Sequence, residues 1–320
     1  MNYRSSIKAG FFLFFFCTCS VFAQDYAFKV LASKGNNTID GQAVKVGAKI
    51  SDNQTIKVSE GAYLSLAHHS GKAIEVAAGS YKAKDLSSKI GQNTSMTSKY
   101  AKFVVNELTQ DEQSVAAARN RFQHMNKTGS VERDLTVSSV RVWLPLNSMI
   151  IGEQLLLKWS DAKADDPSTA YQVQISDLSD QVLFSSQTKE RQLLVNLTAE
   201  QLAGQPHLIV KVLPVDAASG KLKVAPEQID GSILIKPEGT ALTELSKELA
   251  DIRKEFGNTS AIGKLAEANF FEEKGLIADA VAAYETAIKI SGNAPQYQEL
   301  YTAFLVRNAF QTINTANLNK

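Results

Sequence analysis

Two of the four histidines stand side by side, His68 and His69, in the stretch LSLAHHSGKAIEV. An imidazole pair suits metal ligation through neutral ring nitrogens or proton transfer near neutral pH. Either use needs further groups, yet His124 and His207 fall in other segments and no HExxH spacing accompanies the pair. Hydrolytic signatures are missing as well. There is no G-x-S-x-G turn, and the S-x-x-K spacing from Ser5 to Lys8 comes without its companion boxes. No Walker loop or G-x-G-x-x-G follows a strand-like run. Carboxylates pair at Asp165-Asp166, in a Pro-containing turn, and at Glu272-Glu273, near a helix exit. Both pairs are expected in solvent, whereas glycoside hydrolysis needs two carboxyls facing one cleft. The sequence therefore nominates no catalytic, cofactor-binding or metal-ligating residue.

The elements around the histidines give them a different duty. Pairing Leu66 with Ile74 and Leu64 with Val76 makes the apolar faces of two strands coincide. That register sets His68 opposite Lys72 and leaves a three-residue loop, His69-Ser70-Gly71, with the glycine in a left-handed conformation. His68 then ends the buried row, His69 sits in the loop, and the two side chains diverge.

The first 23 residues read as a signal peptide: Arg4 and Lys8, an apolar core beginning GFFLFFF, and VFA before Gln24. No later stretch reaches the roughly 20 apolar residues of a membrane-spanning helix. Cleavage removes Cys17 and Cys19, so the mature chain has no thiol for disulfides, nucleophiles or metal. Lipidation at Cys19 is the alternative address, although FFCT lacks the preferred lipoprotein signal residues. Losing Arg4 and Lys8 takes the formal charge from +1 to −1. Such a chain has no long-range field for nucleic acid, and none is expected as a partner.

The remaining pattern predicts a multidomain chain, mainly β and then α. Residues 24–90 alternate apolar and polar residues between recurrent glycines, the mark of a small β domain. Residues 91–134 shift to a three-or-four spacing and form a helical linker. Residues 135–238 hold seven strand-like runs, enough for a β-sandwich with Trp159 as its anchor. Residues 239–320 are helical. Leu242, Leu245, Leu249, Ile252 and Phe256 form one apolar stripe, Asn258 and Ser260 offer N-caps, and helices follow near 261–274, 277–290 and 295–311.

Each segment resembles a known family. VKVGAKI, DNQTIKV and LSLAHHSGKAIEV are similar to the FecR-type β domain of bacterial envelope proteins. That resemblance implies an envelope protein. The family's signal relay uses a transmembrane helix and a cytoplasmic segment, so it is not carried over here. Pro145, the LLLKW strand ending at Trp159, and YQVQI starting at Tyr171 resemble a fibronectin type III-like sandwich. Ala268, Phe271, Gly275, Ala280, Tyr284 and Ala287 have the relative spacing of a tetratricopeptide repeat, with the closing proline displaced to Pro295.

The expected function is a non-enzymatic, exported scaffold or adaptor that works through protein–protein contacts with envelope proteins and needs no cofactor. Tyr297, Tyr301 and Phe304 follow helical spacing, which suits core packing or a partner-binding face. An alternative is binding of cell-wall glycan by a cationic strip, Lys82, Lys84, Lys99 and Lys102, with exposed Tyr63 or Tyr81. A second alternative is a hydrolase whose polar groups converge only in the fold.

Overall fold

The computed structural model describes residues 26–90, 99–109, 140–161, 166–225, 229 and 231–310. The signal segment, both cysteines, linker residues 110–134, His124 and Asp165 lie outside them. The strands are β1 (Phe28–Lys34), β2 (Asn37–Ile39), β3 (Gln42–Ala43), β4 (Lys49–Ile50), β5 (Thr55–Val58), β6 (Tyr63–His68), β7 (Ala73–Glu75), β8 (Gly79–Lys82), β9 (Val140–Val142), β10 (Asn147–Met149), β11 (Gln154–Asp161), β12 (Thr169–Ser176), β13 (Val182–Thr188), β14 (Gln192–Asn196), β15 (His207–Asp216) and β16 (Ser232–Ile235). The helices are α1 (Ala83–Lys89), α2 (Lys99–Thr109), α3 (Glu200–Ala203), α4 (Gly239–Phe256), α5 (Ala261–Glu273), α6 (Ile277–Ile290) and α7 (Pro295–Arg307). Sheets thus come first and the long helices last. Among the described residues, no helix is long and apolar enough to cross a membrane.

The N-terminal sheets run β4-β1-β6-β7 and β3-β2-β5-β8, with antiparallel pairing throughout. The β6–β7 register sets Leu66 opposite Ile74 and Ala67 opposite Ala73. The Val76 amide donates to Leu64 O at 2.9 Å, and the His68 amide to Lys72 O at 2.7 Å. Gly71, at φ 87°, closes the three-residue loop by donating to His68 O at 2.8 Å. Period-two alternation thus predicts the pairing correctly.

Alternation does not predict what covers the sheet. Every residue of β6 is buried. Leu64 and Leu66 face the core between the two sheets, with Phe28, Val30, Ile50 and Ile56. Tyr63 and Ala67, on the other face, join a core made largely by α2 and α4–α7. β1 is likewise shared, with Val30 on one side and Leu31 on the other of a register shift between Val30 and Ala32. Tyr63 is only 9% exposed, so it is not the exposed aromatic of the glycan-binding alternative.

A polar chain crosses this contact. The Tyr63 hydroxyl donates to Glu75 Oε1 at 3.0 Å, which leaves Tyr297 as the donor in the 2.6 Å hydroxyl–hydroxyl bond to Tyr63. Glu75 Oε1 also accepts from the Ile262 amide at 2.9 Å, placing a carboxylate on the positive end of α5. Burial lifts the Glu75 carboxyl above its ordinary range, against these donors. Glu75→Ala strands both donors and is expected to lower stability by about 1–3 kcal/mol. Glu75→Gln retains an acceptor and is expected to lose less. Denaturant midpoints of the two variants check the order.

The second pair of sheets, β10-β16-β15-β12-β13 and β14-β11-β9, encloses one core. All seven anticipated strands are present, and β10 is an addition that pairs in parallel with β16. Trp159 is 2% exposed and meets Tyr171 edge to face at 5.4 Å. The Tyr171 hydroxyl donates to Asp161 Oδ2 at 2.9 Å.

One helix begins at a cap that the sequence offers. Ser260 Oγ accepts from the Gly263 amide at 2.8 Å and starts α5, so Ser260 and not Asn258 is its N-cap. Ala268, Ala280 and Ala287 are fully buried, which lets α5 and α6 approach closely. Leu249 and Ile252 of the α4 stripe are buried, whereas Leu242 is exposed. α2 packs on the same unit: the Tyr100 hydroxyl donates to Glu248 Oε1 at 2.6 Å, and its ring meets Phe270. The helical unit is therefore a wedge that touches both β units.

Candidate functional site

The wedge leaves a cleft of about 850 Å³ between α4, α5, α6 and the segment 151–154 that leads into β11. Leu249, Phe271 and Ala283 lie beneath it, almost fully buried, and exposed Ser246, Lys254 and Asn258 stand at its mouth.

Two buried carboxylates fix the walls. Asp279, in the first turn of α6, accepts from the Ile151 amide through Oδ2 and from the Gly152 amide through Oδ1, both at 3.0 Å. A Cβ at position 152 would lie 2.4 Å from Asp279 Oδ1, so any larger residue there must displace the carboxylate or the loop. Burial pushes the Asp279 carboxyl up to about 7, while the two amides and Arg253 pull it down. Glu267, on α5, is 2% exposed and is held by Lys264 Nζ at 2.8 Å and Arg253 Nη2 at 3.2 Å. A third tie joins Lys158 of β11 to Glu285 of α6 by a charge-assisted hydrogen bond. Asp279 and Glu267 are thus occupied in holding α4, α5, α6 and the 151–152 loop together, whereas Glu153 lines the cleft as an exposed acid. The surface left open is mainly polar, with Ser246, Lys254 and Asn258 around the almost fully buried Leu249, Phe271 and Ala283, and it matches a polar polypeptide segment.

The sequence-nominated residues lie elsewhere. Tyr297, Tyr301 and Phe304 are 0%, 8% and 0% exposed and pack with Tyr284 in the helical core. They form no surface for a partner, and core packing describes them. Lys82 and Lys84 are exposed at the junction of β8 and α1, with Lys82 Nζ donating to Thr55 Oγ1 at 3.0 Å. Lys99 is paired with Glu273 at 2.6 Å and with Glu248 at 3.9 Å, so it is not a free cation of a polymer-binding strip. Lys102 is exposed on α2. Tyr81 is half-buried, its hydroxyl donating to Ala78 O at 3.2 Å.

The histidines keep their turn but not their predicted divergence: the two rings lie 4.0 Å apart between centroids, tilted by 42°. His68 is 7% exposed, with Nδ1 against Ser70 Oγ and Nε2 against Ser87 Oγ, both at 2.8 Å. Burial lowers its basicity, and His69 and Lys72 add to the effect. Among the described residues, no group of three or more His, Cys, Asp or Glu is placed to hold a metal ion.

Asp279, Gly152, Glu267 and Arg253 went unnoticed in the sequence. The one local signal is an acid in the first turn of a helix, which marks a helix start and says nothing of a bond to a loop 127 residues away. Comparison with protein-family models gave no match, and comparison with curated proteins gave none.

Proposed function

We propose that this chain is a non-enzymatic, exported protein of a bacterial cell envelope, a scaffold or adaptor that holds a protein partner. In this reading residues 24–90 are a FecR-like β domain, 91–134 a helical linker, 135–238 a fibronectin- or immunoglobulin-like sandwich, and 239–320 a tetratricopeptide-like helical domain. The observation that carries it is the polar-lined cleft between α4–α6 and residues 151–154, with walls locked by Asp279 and by the Arg253–Glu267–Lys264 cluster. A cleft fixed by its own ion pairs needs little ordering when a partner arrives, which favours affinity.

The test is affinity capture from the native envelope with the full chain and with Ala250→Arg. Ala250 is exposed on α4 and lines the cleft, so arginine there fills it without disturbing the core. Envelope proteins retained by the parent chain are expected to be lost from Ala250→Arg at an unchanged melting temperature. An identical captured set would remove the cleft from the proposal, and no captured envelope protein would remove the adaptor reading. Deleting 239–320 is unsuitable, because those helices cover β1 and β6.

A further inference from the structure

We propose that β13 is the docking edge for a second copy of this chain, the two β13 strands pairing antiparallel across a two-fold axis. The contact lies outside the cleft above, so either reading can fail while the other stands.

The edge is open. β13 ends the five-stranded sheet and is paired on one side only, with β12. Among the described residues, no backbone group of 182–188 makes a hydrogen bond outside that ladder. Leu183 and Phe184 turn to the sandwich core, to which α3 adds Leu202, while Val182, Ser185 and Gln187 are exposed and no residue of the strand is buried. With seven residues it is the longest edge strand described, and every other one has two to five. Edge strands of chains that stay single are commonly blunted by lysine, by proline or by shortness. VLFSSQT has neither charge nor proline. Its one blunting device is a register shift opposite Ile175 and Ser176, which leaves Phe184–Thr188 as a regular ladder.

The two ends of the strand identify its occupant. Asp177 and Asp180 precede β13, and Lys189 and Arg191 flank Glu190 behind it. One end is net negative and the other net positive, with Lys211, 3.6 Å from Asp180, offsetting part of the acidic end. Antiparallel pairing of identical strands lays the start of each beside the end of the other, so the charges attract at both ends. Apolar surface is covered in the same exchange. Leu178, Leu194 and Val182 are the three most exposed large hydrophobic side chains described, at 62%, 57% and 50%. Leu178 and Val182 stand at the start of β13, and β14, which carries Leu194, follows its end. A two-fold contact brings Leu178 and Val182 of one copy to the β13–β14 connection of the other, and the two five-stranded sheets become one.

Sedimentation equilibrium of the full chain, from micromolar to near-millimolar concentration, tests this. A reversible dimer is expected. Ser185→Lys and Ser185→Glu each set like charges near the axis and give up only the exposed 3.1 Å bond from Gln172 Nε2. Each is expected to raise the dimer dissociation constant at least about tenfold at an unchanged melting temperature. Mixing the two variants is expected to restore the dimer as a mixed pair, which neither a folding defect nor a contact through another face would produce. A monomer over the whole range would overturn the proposal, and so would an undiminished dimer in Ser185→Lys or a mixture that fails to associate. A monomer whose Ser185→Lys form loses a captured envelope protein would assign the edge to an extended strand of that protein instead.

Discussion

Phe304→Ala is expected to cost about 3–5 kcal/mol of stability, the usual range for emptying a buried aromatic site. Phe304 is fully buried, with ring centroids of Tyr284 at 4.9 Å, Tyr301 at 6.2 Å and Phe310 at 6.5 Å. Three aromatic neighbours cannot close over the space a benzyl group leaves, so the loss combines transfer free energy with a residual cavity. The effect is expected beyond α7. The same core contains Leu31, Tyr63 and Ala67 of the N-terminal sheet, so loosening the helices uncovers β1 and β6. Denaturant unfolding measures the cost, and hydrogen exchange in β6 shows whether it spreads. Lys102→Ala, at an exposed position, is the control, expected within about 0.5 kcal/mol of the parent. A loss under about 1 kcal/mol for Phe304→Ala, together with loss of a captured partner, would return Phe304 to a partner-binding role.

Asp279→Ala is expected to cost about 2–4 kcal/mol, because it leaves the Ile151 and Gly152 amides without their acceptor inside a closed contact. The size of the loss carries a pH signature. Burial raises the Asp279 carboxyl to about 7, from the ordinary 3.8 that it regains on unfolding. The folded chain therefore holds this proton more tightly than the unfolded chain does. The contribution is fully present below about pH 4 and is lost as pH rises through about 7, at up to ~1.4 kcal/mol per pH unit. Glu75, also raised, has the same sign, and His68, lowered, has the opposite sign. Subtracting the Asp279→Ala curve from the parent curve isolates the aspartate. The difference in unfolding free energy is expected to be larger at pH 5 than at pH 8. A difference that grows with pH would mean that the amide-to-carboxylate bonds outweigh the desolvation of the charge. Gly152→Ala is a second route to the same contact, since its Cβ meets Asp279 Oδ1 and displaces either the carboxylate or the loop.

How much of this was legible in the sequence differs from element to element. Leu64, Leu66, Ile74 and Val76 state the β6–β7 register, because a slip by one residue would turn all of them outward. Ser260 and the buried alanines at 268, 280 and 287 state the α5–α6 pair, since capping and close approach are local requirements. The outer face of β6 was the missed clue. Tyr63, Ser65 and Ala67 carry no charge, as befits a face that will be covered, but period-two alternation alone assigns that face to solvent. The cationic-strip reading of Lys99 and the partner-face alternative for Tyr297 miss the fold for a related reason. Their spacing is consistent with exposure, and the partners that occupy them, Glu273 and Tyr63, are 174 and 234 residues away.

By itself, then, the sequence determined the succession of β and α segments, the histidine hairpin and the Ser260 cap, all of which depend on interactions between near neighbours. The tertiary structure alone decided that the C-terminal helices cover β1 and β6 and are tied to β11. It also decided that Asp279 and Glu75 bind distant backbone, and that Trp143 packs against the helical core. Those outcomes arise from burial of whole faces and from bonds between remote segments. Neither leaves a periodic trace in the chain.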